Sequence, residues 1–112
     1  MQASLRYVRV LAMAAACLAG SPAIAADSKP NATQGGDLAK RWCSSCHLVE
    51  SDQKQADADV PSFGAIAHRS DFTAEKVAFF LLNPHPKMPM PNFQLSRSEA
   101  ADIAAYIGSL RN

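Results

Sequence analysis

The chain has 112 residues, which is enough for one small domain. Its eleven basic and ten acidic residues nearly balance. This excludes the strongly basic surface that is typical of nucleic-acid-binding proteins, and no nucleic-acid partner is expected.

Residues 1–25 have the order of a secretory signal peptide. A segment with two arginines precedes the apolar residues 10–18, and Ala23-Ile24-Ala25 is a small-residue cleavage site. We therefore predict cleavage after Ala25 and a periplasmic location. No stable membrane insertion is expected afterwards, since the apolar run is much shorter than the roughly 20 residues of a membrane span. An uncleaved anchor and a lipoprotein attached at Cys17 are the alternatives.

About 87 residues then remain, with nine basic residues against ten acidic ones and a net charge of about −1. A chain this short rarely builds a comfortably stable core from its own side chains. It retains only Cys43 and Cys46, which are too close and too few for a disulfide framework. A buried cofactor is therefore expected to supply the missing stability.

The first half of the remaining chain is predicted to hold one helix and one long loop. Residues 26–32 are polar and form a flexible leader. The helix begins at Thr33, and its apolar positions through Trp42 fall on one face. Residues 49–61 have no sustained apolar period and are predicted to be a loop. The acidic residues of this loop are predicted to be a solvated surface, or alternatively to orient a basic redox partner.

The second half is predicted to be helical with one interruption. A short helical turn at residues 63–67 precedes a helix capped by Thr73, which ends near Asn83 because proline follows. Residues 84–91 have a proline at nearly every second position and form a stiff, extended strap. A last helix begins at Ser96 with a capping box. No segment alternates between polar and apolar residues, so the predicted fold class is all-α.

Residues 43–47 read Cys-Ser-Ser-Cys-His, a pattern that is typical of c-type haem attachment. The spacing of two residues lets both thiols reach neighbouring vinyl groups of one haem, and the adjacent imidazole is then placed to bind the iron. The pattern predicts thioether bonds at Cys43 and Cys46, an axial iron ligand at His47, and one covalently attached haem c as cofactor.

Two other interpretations use the same cysteines. A Trp-Cys-x-x-Cys motif occurs in thioredoxin-like oxidoreductases, but it follows a strand within a strand-helix-strand unit, and no such unit is predicted. A structural zinc site needs a second pair of ligands. His68 and His85 are the available residues, but their spacing matches no common zinc module.

Residues 33–110 resemble a bacterial class I monohaem cytochrome c. The shared landmarks are Gly35 ahead of the haem motif, Pro61 after the loop, and Met-Pro ahead of a capped terminal helix that contains Tyr106. The resemblance implies that residues 33–112 form a cytochrome c domain with three to four helices around one covalently attached haem. It also implies that the Gly35 region packs against the terminal helix near Tyr106.

The resemblance further assigns residues to the haem pocket. The carbonyl of Pro61 is implied to accept a hydrogen bond from His47, and the fixed φ of proline suits that role. Five apolar residues are expected to wall the pocket and exclude water: Phe63, Ile66, Phe80, Leu81 and Phe93.

Two methionines in the strap are candidates for the sixth iron ligand. A thioether is a soft, weak donor that favours ferrous iron. Members of the family supply their methionine just before the terminal helix in the pattern Met-Pro-x-x-x-Leu-Ser, which residues 90–96 match. Met90 is therefore the predicted ligand. Met88 is the alternative because it follows a Pro-His-Pro run that resembles the approach to the ligand in the family, and His85 is a third candidate.

An iron with both axial positions filled by protein has no open site for a substrate. We therefore predict a periplasmic single-electron carrier with redox partner proteins and no catalysis of its own. The alternative is a haem-relay subunit of a periplasmic dehydrogenase or oxidase complex. A gas or peroxide site produced by a labile methionine is a third possibility.

Overall fold

The computed structural model describes residues 28–83 and 93–112. Four helices follow one another in these ranges: α1 (Ala32–Trp42), α2 (Phe63–Ala67), α3 (Ala74–Leu82) and α4 (Arg97–Ser109). The described ranges contain no strand, which agrees with the predicted all-α fold class.

Two predicted segments lie outside the described residues. These are the signal peptide at residues 1–25 and the strap at residues 84–91, with its candidate ligands His85, Met88 and Met90. Within the residues that the structure does describe, none of the helices is long and apolar enough to cross a membrane.

Helix α1 begins at Ala32, one residue before the predicted start. The side chain of Asn31 accepts a hydrogen bond from the backbone N–H of Gln34 at 3.2 Å, which caps the helix. Leu38 is buried on the face towards the core, whereas Trp42 is 46 % exposed. The apolar face predicted from the spacing therefore holds for most of the helix but not at its last residue.

The predicted caps of α3 and α4 are confirmed. The hydroxyl of Thr73 accepts a hydrogen bond from the N–H of Lys76 at 3.2 Å. At the start of α4, Ser96 and Glu99 form the complete capping box, in which each side chain accepts a hydrogen bond from the backbone of the other. Helix α3 ends at Leu82, as the following proline requires.

Helix α4 is the packing partner of the other three helices. Ile103 and Ile107 on α4 are buried in the core cluster together with residues of α1 and α2. Its contact with α1 is very close at Gly35, where a Cβ would overlap the backbone carbonyl of Asp102. The neighbouring Gly36 faces the ring of Tyr106. This crossing of α1 and α4 confirms the packing that was expected for the early glycines.

The segment between α1 and α2 is a loop, as predicted, and it is tied to α4. The hydroxyl of Tyr106 donates a hydrogen bond to the backbone carbonyl of Val49 at 2.7 Å. The side chain of Val49 is buried, whereas the acidic residues Asp52, Asp57 and Asp59 are exposed. The start of the loop is therefore part of the core, and these three acidic residues are solvated, whereas Glu50 is half-buried and forms an ion pair with Lys40 at 2.7 Å.

Candidate haem site

A cavity of about 460 Å³ opens beside the cysteine motif. Side chains from all four helices and from the loop line it, and most of them are apolar. The five residues expected to wall a haem pocket are among them: Phe63, Ile66, Phe80, Leu81 and Phe93. Sequence reasoning missed several other apolar lining residues, including Trp42, Val60, Phe72, Val77 and Leu95.

The motif begins where α1 ends. Cys43 is the C-cap residue, and its N–H donates to the carbonyl of Ala39 at 2.8 Å. The N–H of His47 in turn donates to the carbonyl of Cys43 at 2.9 Å, which closes the motif into one further turn. The side chains of Cys43, Cys46 and His47 therefore all border the cavity.

The two thiols differ in their surroundings. Cys43 is half-buried and Cys46 is exposed, and neither is part of a disulfide. Burial raises the pKa of the Cys43 thiol to about 11, because the thiolate would lose its hydration. Before any reaction, Cys43 is therefore a neutral thiol at neutral pH.

The imidazole of His47 is held from two sides. Its Nδ1 lies 2.7 Å from the carbonyl oxygen of Pro61, and its ring stacks in a tilted arrangement on Phe63 at 5.3 Å between centroids. A carbonyl can only accept a hydrogen bond, so the proton of the neutral ring lies on Nδ1. Nε2 is then the nitrogen with a free lone pair for a metal ion.

Gln53 is a residue of the site that sequence reasoning missed. Its side-chain oxygen accepts a hydrogen bond from the N–H of Val49 at 3.0 Å. Its amide nitrogen lies 2.9 Å from the carbonyl oxygens of both Ser44 and His47, and 2.6 Å from that of Gln55. The Gln53 side chain therefore contacts the backbone inside the motif at Ser44, at its last residue His47, and beyond it at Val49.

The described residues provide little for the zinc interpretation. They contain no group of three or more histidine, cysteine or acidic side chains that could hold a metal ion. His68 is exposed, and its Nδ1 pairs with the carbonyl of Gly64 at 2.8 Å. The strand-helix-strand unit that a thioredoxin-like motif requires is likewise not found in ranges 28–83 and 93–112.

The residues around the cavity fit a haem. Two thiols and one imidazole stand at its edge, and the apolar walls suit a flat, largely apolar macrocycle. A group attached at the motif would also fill a space that this small core leaves open.

Comparisons with known proteins agree with this fit. Residues 30–107 match the family model described as cytochrome C oxidase, cbb3-type, subunit III. The chain is 62 % identical over 102 residues to cytochrome c-552 of Bradyrhizobium diazoefficiens, and the match covers 91 % of this chain and 89 % of that relative. No solved structure gives a significant match.

Proposed function

The chain belongs to the cytochrome c family, by its match to the cbb3-type subunit III model, and we propose that it is a periplasmic single-electron carrier. Members of this family carry covalently attached haem c and transfer electrons. The observation that carries the proposal is the hydrogen bond between His47 and Pro61, at the edge of an apolar cavity that both motif cysteines border.

Three residues of the motif have a role in this proposal. Cys43 and Cys46 form the two thioether bonds, and His47 binds the iron through Nε2 while Nδ1–H donates to Pro61. The bound haem supplies the one-electron couple. The hydrogen bond makes the imidazole a stronger donor and fixes its orientation, so the same geometry serves both oxidation states.

The apolar walls have a second effect. Phe63, which packs on His47 and is buried, keeps water from the side of the cavity next to the imidazole. A poorly hydrated site disfavours the oxidation state with the higher charge, which raises the reduction potential. The chain therefore tunes the couple through burial as well as through its ligands.

Met90 is the proposed sixth ligand and Met88 the alternative. The support is the sequence pattern around residues 90–96, since both methionines lie outside the described residues. If His47 and a methionine both bind the iron, the protein itself would supply the ligands that a substrate or gas would otherwise replace, and this favours an electron carrier over an enzyme or a gas sensor.

A haem-relay subunit of a dehydrogenase or oxidase complex is the second candidate. It is favoured by the subunit description of the family model and by exposed apolar side chains on α3, where Phe79 is 70 % and Leu82 is 40 % exposed. A permanent subunit is expected to bury such a surface against its partner.

Optical spectroscopy of the mature protein tests the carrier proposal. The pyridine haemochrome spectrum should be that of haem c, and the ferric protein should have the weak near-infrared charge-transfer band of methionine–iron ligation. Met90→Ala should abolish this band while Met88→Ala keeps it. The reverse result would move the ligand to Met88, and carbon monoxide binding to the reduced wild type would contradict the carrier.

Size-exclusion chromatography of the native periplasmic fraction separates the two candidate functions. A free carrier elutes at the size of the single chain. Stable co-elution with a dehydrogenase or oxidase would establish the relay subunit instead.

A further inference from the structure

We propose that Gln53 is a positioning residue for His47, acting through the backbone of the haem attachment motif. The inference rests on the proposed role of His47 as an iron ligand. Gln53 belongs to the loop after the motif, and its side chain turns back to contact the motif from Ser44 to His47.

The orientation of the Gln53 amide is fixed by its partners. The Nε2 atom faces three carbonyl oxygens, which can only accept hydrogen bonds, and the Oε1 atom faces the N–H of Val49, which can only donate. A flipped amide would place an oxygen against three oxygens. The amide therefore has one satisfactory orientation, and it uses both its donor and its acceptor functions.

These hydrogen bonds fix the main chain on either side of the His47 side chain. Ser44 lies inside the motif and His47 is its last residue. By donating to the carbonyls of both, the amide of Gln53 holds the backbone before and after Cys46. The ring of His47 is held separately by Pro61. Its main chain and its side chain thus have different anchors, and both must be in place to set the angle of the imidazole.

The Gln53 contacts are also connected to the core. Val49 donates its N–H to Gln53 and accepts the hydroxyl of Tyr106 at its carbonyl. Tyr106 lies on α4, which packs against α1 just ahead of the motif. The loop that carries Gln53 therefore has a rigid support, which a positioning residue requires.

The chemical consequence concerns the strength of His47 as a donor. Without the Gln53 amide, the carbonyls of Ser44 and His47 lose a partner in a partly buried site, and the motif relaxes. Relaxation weakens the alignment of Nδ1–H with Pro61, so the imidazole donates less to the iron. Ferric iron is stabilised less, and the reduction potential rises.

Gln53→Met, Gln53→Glu and Gln55→Met in the full holoprotein test the proposal. Methionine has a similar length but no amide, and glutamate keeps the acceptor for Val49 while losing the donor. Gln55 is the matched control because it is an exposed glutamine of the same loop. It contacts Gln53 through its backbone carbonyl, which the methionine variant keeps.

Two measurements report on the imidazole itself. One is the midpoint potential, and the other is the pattern of haem methyl shifts in the NMR spectrum of the ferric protein, which depends on the orientation of the axial ligands. Gln53→Met should have a higher midpoint and a rearranged methyl pattern. Gln53→Glu should have a rearranged methyl pattern too, but its added negative charge favours ferric iron and lowers the midpoint. Gln55→Met should match the wild type in both measurements.

The pyridine haemochrome spectrum and circular dichroism first establish which variants carry haem and are folded. A wild-type methyl pattern in the haem-loaded fraction of either Gln53 variant, or a wild-type potential in Gln53→Met, would overturn the proposal even if less holoprotein is made, because Gln53 would then serve folding alone. A wild-type protein without covalent haem would instead refute the proposed function.

Discussion

The Nδ1 atom of His47 lies 2.7 Å from the carbonyl oxygen of Pro61, fourteen residues further along the chain. The imidazole comes from the attachment motif, and its acceptor comes from the far end of the acidic loop. The geometry of the proposed iron ligand therefore depends on where this loop ends, and proline restricts the backbone at that point.

Replacement of Pro61 by glycine should raise the midpoint potential. Glycine keeps the carbonyl but frees its backbone, so the hydrogen bond to His47 weakens and ferric iron is stabilised less. We expect a shift of tens of millivolts, because about 1 kcal/mol corresponds to roughly 40 mV for one electron. Protein-film voltammetry measures the shift. Pro30→Gly, in the exposed segment before α1, is the control and should leave the potential unchanged.

Replacement of Gly35 by alanine should strongly destabilise the fold. The new methyl group would overlap the backbone carbonyl of Asp102, and a backbone group cannot rotate out of the way as a side chain can. We expect a loss of about 3 kcal/mol in the free energy of unfolding, at the upper end for overpacked cores. Urea titration measures it. Gly64→Ala is the control, since its Cβ would meet nothing closer than 3.9 Å, and an equal loss there would contradict the explanation.

Replacement of Tyr106 by phenylalanine should remove the bond to Val49 and cost about 1 kcal/mol. It should also change the response to alkali. Burial, with a smaller effect from the charge of Glu50, raises the pKa of Tyr106 above its usual value of 10 in the folded protein. The stability that the neutral Tyr106 hydroxyl contributes is fully present below pH 10 and is lost as the pH rises through the raised pKa. Unfolding curves from pH 8 to 12 should decline less for Tyr106→Phe, and parallel curves would refute this assignment.

Replacement of Glu99 by glutamine should alter the response to acid. The carboxylate accepts hydrogen bonds from the N–H and hydroxyl of Ser96, and these bonds lower the pKa of Glu99 below its usual 4.5. Its contribution to stability is therefore present above that value and is lost as the pH falls through the lowered pKa. Unfolding curves from pH 7 to 3 should slope less for the variant, provided that it still folds with α4 intact by circular dichroism. An unchanged slope would show that the capping box does not respond to acid.

The local features of this fold could be predicted because their partners are close in sequence. The caps at Thr73 and Ser96 involve residues three positions further on, and the end of α3 follows from one proline. The cysteine motif is likewise contiguous, which is why the sequence alone is enough to propose its attachment residues.

The remaining features depend on residues that only the fold brings together. The carboxylate of Asp102 accepts the N–H of Asn31 at 2.7 Å across 71 positions of sequence. Gln53 contacts carbonyl groups, which every residue has, so no side-chain pattern marks its role. Trp42 has the spacing of a core residue, but it stands where α1 reaches the mouth of the cavity, and it contacts Phe93 there.

Among the described helices, α4 comes after the other three in sequence and is also the centre of their packing. A chain that leaves the ribosome or a membrane channel from its N-terminus must expose the apolar faces of α1, α2 and α3 until α4 arrives. The link between Asn31 and Asp102 closes one of the longest loops that the domain allows, and long loops slow folding. Folding should therefore start only after α4 has emerged, and until then both cysteines of the motif stay accessible to the haem attachment proposed for them.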